Sequence, residues 1–296
     1  MILDNIKNIV FFNHFHNGDV HVSRGFLKFI IDKFPQFNYF YTHKNDSNLT
    51  KDLNLTFLPN DIKNNTIIQE ELMSYKKVDD TIYINTWYCS GHRKFFQECT
   101  FISLYNLFGF YFQEIFGINI NDFDEQTFLP SIDFSKCLTE HIDEFFNKKN
   151  NPCILISNGN TLSGQSFNFD FNPLILQLSK TFPEHNFLLS NKMGNIVNES
   201  NVFYTEDIIK SSENDLNENS YISLKCNIII GRDSGTYTFC YIKENILNPD
   251  KTFLSFSYNN IITNWYEKRT AKILHSRNMN SYQDIFNVIA SVIKNN

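Results

Sequence analysis

The chain has 296 residues, 42% of them hydrophobic, and a formal net charge of −6. That length and apolar share provide for two domains, each with its own core. The acidic balance and the lack of a basic stripe argue against a nucleic-acid partner, and six scattered cysteines without a CxxC pair argue against a zinc ribbon or a dithiol redox centre.

Strand and helix patterns alternate from the start. Residues 8–12 (NIVFF) form a buried strand, and 13–19 a polar turn. Residues 23–34 carry Phe26, Leu27, Ile30, Ile31 and Phe34 at helical spacing, and Pro35 ends the run. Strands are predicted at 38–42, 54–58 and 81–88, and an aromatic-rich helix at 101–116. Residues 121–151 read as an interdomain segment containing a helix at 137–146. The second half opens with a strand at 153–157 and a small-residue loop at 158–166. Helices follow at 173–182, 217–226 and 236–242, and strands at 186–190, 201–204, 227–231 and 252–257. An amphipathic helix at 281–294 closes the chain.

Two successive β/α halves predict an α/β protein of two Rossmann-like doubly wound domains facing a cleft. The expected divisions are 1–130, a linker at 131–151, 152–280, and a C-terminal helix at 281–296. No secretory signal or apolar span of about 20 residues is visible, which points to the cytoplasm. Peripheral association with a membrane surface stays open.

Three loops carry the chemistry. The first is Ile228 to Phe239 (IIIGRDSGTYTF), where a β-branched run stops at Gly231 and a helix pattern starts near Thr236. A strand, a small-residue turn and a helix start make an anion site, because free N–H groups point into the turn. Arg232 adds a forked cation suited to phosphate. The second is Ser157 to Ser166 (SNGNTLSGQS), which offers amide and hydroxyl donors but matches neither a Walker loop nor GxGxxG. The third is Asn13 to His21, where Gly18 allows close backbone approach and Asp19 precedes the helix. Asp19 is either a helix cap or a carboxylate placed as a general base.

Other residues have two readings each. Glu206 and Asp207 follow a strand and either bind a ribose or base or form a solvated edge. Trp87 and His92 flank a strand end that suits sugar stacking, although Trp87 is equally suited to a core. His14, His16 and His21 lack the accompanying carboxylates that a metal site needs, and one of them contacting substrate or phosphate is the better reading. Asp122 and Asp124 form a D-x-D triplet outside any cleft strand and read as a cap.

These motifs resemble the GT-B glycosyltransferases, most of all the heptosyltransferase-like group. The resemblance spans nearly the whole chain on short motifs. It implies Asp19 as catalytic base. It implies a donor diphosphate held by Asp233, Ser234, Gly235 and Thr236 and by the loop Asn160, Thr161, Ser163, Gly164 and Gln165, with Gly18 near the ligand. His16, Trp87 and His92 would face the acceptor, and Glu206 and Asp207 the nucleoside. The family's usual cation is absent between Ser157 and Ser166, so Arg232 is expected to supply it, with Lys192 second. Tyr237 to Phe239 stand where the family has a histidine, so ADP-heptose does not follow as donor.

The implied activity is inverting transfer from a nucleotide-diphosphate sugar to a glycan, glycoconjugate or other hydroxyl acceptor. It needs no cofactor and no metal. The rival readings are a nucleotide-sugar epimerase or hydrolase on the same fold, and a non-catalytic glycan- or nucleotide-binding module.

Overall fold

The structure, a computed structural model, describes residues 2–13, 16–43, 47–58, 74–87, 103–162, 164–210, 215–258 and 269–296. The chain divides into two units, Met1–Ser131 and Ile132–Asn296.

In the first unit the elements are β1 (Asn8–Asn13), α1 (Asn17–Lys33), β2 (Asn38–His43), β3 (Thr56–Leu58), β4 (Tyr75–Val78), β5 (Thr81–Asn85) and α2 (Leu104–Glu114). The sheet runs β3-β2-β1-β5-β4, with β4 antiparallel to β5 and the other pairs parallel. β1 is central, and its last five residues are fully buried, as an apolar run in a covered parallel sheet should be. The core is aromatic. Phe26 stacks on Phe108 at 4.4 Å and on Phe128 at 4.9 Å. Gly25 permits this packing, since a Cβ there would meet the Phe128 carbonyl oxygen at 2.1 Å.

The second unit contains α3 (Glu140–Asn147), β6 (Cys153–Ser157), α4 (Asn172–Thr181), β7 (Asn186–Leu189), β8 (Val202–Tyr204), α5 (Thr205–Ile209) and α6 (Leu216–Leu224). It continues with β9 (Ile228–Arg232), α7 (Gly235–Thr238), α8 (Lys243–Ile246), β10 (Thr252–Phe256), β11 (Lys272–Ser276) and α9 (Tyr282–Lys294). All pairs are parallel in the order β11-β10-β9-β6-β7-β8. In chain order this is 3-2-1-4-5-6 with β6 as strand 1, the doubly wound pattern. The order reverses between β6 and β9, whose residues are all buried.

The structure corrects several boundaries. α1 begins at Asn17, six residues before the expected start. The strand expected at 81–88 is described only to Asn85. The helix expected at 236–242 is a single turn, α7, followed by the separate α8. β4 and β11 had no counterpart in the sequence reading, and both are short and only partly buried. Residues 132–151 form part of the second unit. There the Leu138 N–H donates to Glu218 Oε1 at 3.2 Å, and the Tyr221 hydroxyl donates to both Asp143 oxygens at 2.9 and 3.1 Å. α9 belongs there too, placing Ile285 and Ile289 in one buried cluster with Leu174 and Leu178 of α4.

Candidate functional site

In the second unit the site is built where the strand order reverses, the point at which such sheets bind ligands. Ser157 at the end of β6 is in register with Gly231 of β9, so the loops that follow leave the sheet side by side. Gly231 is required by this approach. A Cβ there would stand 2.7 Å from the Tyr237 ring and 2.9 Å from the Ser157 Cβ.

Side-chain bonds join the loops. Gln165 Nε2 donates to the Asp233 carbonyl at 2.6 Å, and the Ser157 and Ser234 hydroxyls lie 3.5 Å apart. Asn158 ties in the loop after β7. Its Nδ2 donates to the Asn191 carbonyl at 2.8 Å, and its Oδ1 accepts the Asn191 N–H at 2.9 Å. At Gly159 a Cβ would meet Asn191 Nδ2 at 3.2 Å and Thr236 Oγ1 at 3.5 Å, so Gly159 and Thr236 come together.

Arg232 does not occupy the role expected of it. The side chain is 1% exposed. Its Nε donates to the Gly159 carbonyl at 3.1 Å and Nη1 to the Phe169 carbonyl at 2.7 Å. Nη2 donates to the Asn158 carbonyl at 2.6 Å and to Asn160 Oδ1 at 3.0 Å. The guanidinium also lies over the rings of Phe169 and Phe171, at 5.0 and 4.9 Å. Four of its five N–H donors are therefore committed to the loop after β6. Burial lowers its pKa to about 10, so the group stays charged at neutral pH. Arg232 is the clip that shapes the loop. Lys192 is no substitute, because its ammonium pairs with Asp207, which raises its pKa.

The other expected donor residues divide in two. Thr161 is buried, with its N–H on Asn168 Oδ1 at 2.8 Å and its hydroxyl on the Ser166 carbonyl at 3.2 Å. Asp233 is buried and accepts a hydrogen bond from the Ser255 hydroxyl, and burial pushes its pKa up. Ser234 caps α7, accepting the Tyr237 N–H at 3.4 Å. These three hold the loops. Gly159, Asn160, Gly164, Gln165, Gly235 and Thr236 are partly or fully exposed. The N–H groups of Gly235 and Thr236, in the first turn of α7, have no intrahelical acceptor. α7 has four residues, so the helix dipole expected from the sequence is much reduced. Ser163 lies outside the described residues.

Glu206 and Asp207 open α5 and are exposed. Glu206 Oε1 accepts the Lys192 N–H at 3.0 Å, which joins α5 to the loop after β7. Asp215, just before α6, has its pKa raised to about 6 by burial.

In the first unit the strand order reverses between β1 and β5. Asp19 lies in the first turn of α1 rather than ahead of it. Its Oδ2 accepts the His16 N–H at 3.0 Å, and its own N–H donates to the His16 carbonyl at 3.0 Å. Its carboxylate is thus a cap for the helix, and the side chain keeps 15% exposure. Gly18 falls inside the same turn. Asp19 also acts on Tyr41 of β2. The Tyr41 pKa is raised mainly by burial and further by the Asp19 charge, and its hydroxyl meets the Thr86 hydroxyl at 3.2 Å.

Sequence reasoning singled out His21 and missed the rest of a buried polar layer. Asn13, His21, His43, Asn85 and Thr86 are each no more than 1% exposed. The available signal was a polar residue closing each apolar strand. Trp87 is half-buried, with its N–H on Asn85 Oδ1 at 2.9 Å. His14 and His92 lie outside the described residues. Asp124 caps a turn through the Gln126 N–H at 3.0 Å. Among the described residues no three His, Cys, Asp or Glu side chains are grouped to hold a metal ion, and no helix is long and apolar enough to cross a membrane.

No protein-family model matches the chain, and no curated protein matches it in sequence. Solved structures do match. A family 9 glycosyl transferase from Veillonella parvula is 13% identical with a TM-score of 0.54, covering 99% of this chain and 91% of its own. The E. coli ADP-heptose LPS heptosyltransferase II is 8% identical with a TM-score of 0.60, covering 98% of this chain and 99% of its own. The E. coli heptosyltransferase WaaC, solved with ADP, is 9% identical with a TM-score of 0.56, covering 97% and 99%. Likeness at such low identity speaks for architecture alone, and the two α/β units of this chain have the GT-B fold that these transferases share.

Proposed function

We propose that the chain is a glycosyltransferase that moves a sugar from a nucleotide-diphosphate donor to a hydroxyl of a glycan, glycoconjugate or other acceptor. The observation that carries this reading is the junction of β6 and β9. Its two loops are cross-linked by their own side chains, and its exposed parts are glycine, amide and hydroxyl groups beside one apolar side chain, Leu162. Such a wall suits a diphosphate, which hydrogen-bonds to backbone N–H groups that need no reorganisation. The neighbours of this fold include a heptosyltransferase solved with ADP.

In the proposed reaction Asp19 takes the acceptor's hydroxyl proton. The acceptor oxygen attacks the anomeric carbon from the face opposite the leaving group. The bond from that carbon to the diphosphate oxygen breaks, and the nucleoside diphosphate departs with the electron pair. The sugar is delivered with inversion. The N–H groups of Gly235 and Thr236 and the loop at 159–165 stabilise the leaving charge. Arg232 acts by holding that loop. Glu206 and Asp207 would contact the nucleoside, and His16 and Trp87 the acceptor. No divalent metal or cofactor takes part, so transfer persists in EDTA.

A second reading has one observation in its favour. The Asp19 carboxylate already serves α1 as a cap, as expected of a binding module without turnover. A thermal-shift screen against UDP, GDP, ADP, CMP and their sugars tests the donor site. At a hundred times Kd a ligand adds about 2.7 kcal/mol to stability. A clear rise with one nucleotide diphosphate is expected, and no rise with any of them refutes the reading.

A further inference from the structure

The second unit has a pocket of which the transferase reading uses one lining residue, Asp207. It holds about 430 Å³ between α3, the residues before β8, and α5. Strand β8 is the outer strand of its sheet, and Phe145 of α3 meets its Phe203. Helix α3 turns His141, Glu144, Phe145 and Lys148 to the pocket, a spacing of 3, 4 and 7 residues that forms one helix face. The floor is apolar, from Val197, Val202 and Ile208. The walls are aromatic. Phe145 and Phe203 meet edge to face at 5.1 Å, and Tyr204 also lines the space.

The charges at this pocket are unequal in their commitments. Of its two acids, Asp207 is paired with Lys192, and Glu144 lies 3.8 Å from His141. Its two lysines, Lys148 and Lys210, form no ion pair among the described residues. Lys148 follows the last turn of α3, where a cation also suits the helix carbonyls. Lys210 is the more telling of the two. It adopts φ +56° and ψ +30°, the left-handed region that favours glycine, yet the chain carries a long cation there and turns it to the pocket. A space of this size with aromatic walls, an apolar floor and two lysines that make no ion pair among the described residues matches a small ligand with a ring and a negative charge.

We propose that this pocket is a second binding site, for a small aromatic anion: one or two fused rings bearing a sulfonate, carboxylate or phosphate. The ring lies against Phe145 and Phe203, and the anionic group meets Lys148 and Lys210. The site shares no wall with the β6–β9 junction, and Asp207 is the one residue it has in common with the proposed nucleoside side.

Calorimetric titration of the full chain tests this with naphthalene-2-sulfonate as probe and uncharged 2-naphthol as control. Expected is one saturable site for the sulfonate, with the control at least tenfold weaker. The double variant Lys148→Glu and Lys210→Glu is expected to bind the sulfonate at least tenfold more weakly, with an unchanged unfolding midpoint. Phe145→Ala, on a partly exposed helix face, is expected to weaken both probes. Equal binding of the two probes overturns the proposal, as does a double variant that binds like the parent or a parent with no saturable site.

Discussion

The two carboxyl edges of this chain spend their polar residues differently. In the second unit polar side chains bind one loop to another: Asn158 to Asn191, Gln165 to Asp233, and Arg232 to Asn158, Gly159, Asn160 and Phe169. What stays exposed is glycine, amide and hydroxyl groups together with Leu162. In the first unit the polar residues form a buried layer beneath the edge, and the candidate base Asp19 stands in the first turn of α1. One edge is pre-shaped for a ligand with many acceptor oxygens. The other keeps a partly exposed carboxylate and buried polar residues. A buried charge can serve binding without touching the ligand, by fixing the loop that does.

The largest effect that tests this contrast is catalytic. Asp19→Asn is expected to reduce transfer by about 10²–10⁴-fold while leaving the thermal shift with donor nucleotide intact. Full activity in that variant removes Asp19 from the mechanism, and a stability loss alone leaves it as a cap. Arg232→Ala comes next. Four acceptors lose a charged donor inside the protein, so a stability loss of about 3–4 kcal/mol in urea unfolding is expected, together with loss of donor binding. A variant of unchanged stability and weakened donor binding restores Arg232 as a direct phosphate ligand.

Gly231→Ala sharpens the same point with a smaller change. Its methyl must displace the Tyr237 ring and Ser157, at a cost of about 1–3 kcal/mol, and it shifts both loops. The expected outcome is a lower unfolding midpoint and a smaller donor-induced shift. Gly25→Ala is the control in the first unit. It is also destabilising, but leaves the donor-induced shift in place.

The smallest effect concerns pH. Burial raises the Asp215 pKa to about 6, against about 3.9 in an unfolded chain. Between those values the folded state holds a proton that the unfolded state has released, so this group's contribution to stability falls as pH rises from about 4 to 6. Asp215→Asn is expected to be more stable than the parent at pH 7 by up to about 3 kcal/mol, and the gap should close towards pH 4. A gap that is constant with pH refutes the assignment.

Much of the architecture was legible because apolar runs have few places to go. CILIS and IIIG, at β6 and β9, had to be central strands, and the small-residue loops had to follow them at one edge. Two of the four edge strands escaped notice. YKKV and KILHS, at β4 and β11, are partly exposed and lack the strict alternation of a half-buried strand. The early start of α1 also escaped, because its N-cap is His16 rather than a Ser, Thr, Asp or Asn.

The sequence by itself determined the fold class, the strand–turn–helix character of the β9 region and the small-residue nature of its partner loop. These follow from local patterns of burial and backbone freedom. Only the tertiary structure decided where the charges are spent. Arg232 lies 63 to 74 residues from its acceptors along the chain, and Lys192 lies 15 from Asp207. A cation finds its partner through folded distance, and composition along the chain carries no record of that distance.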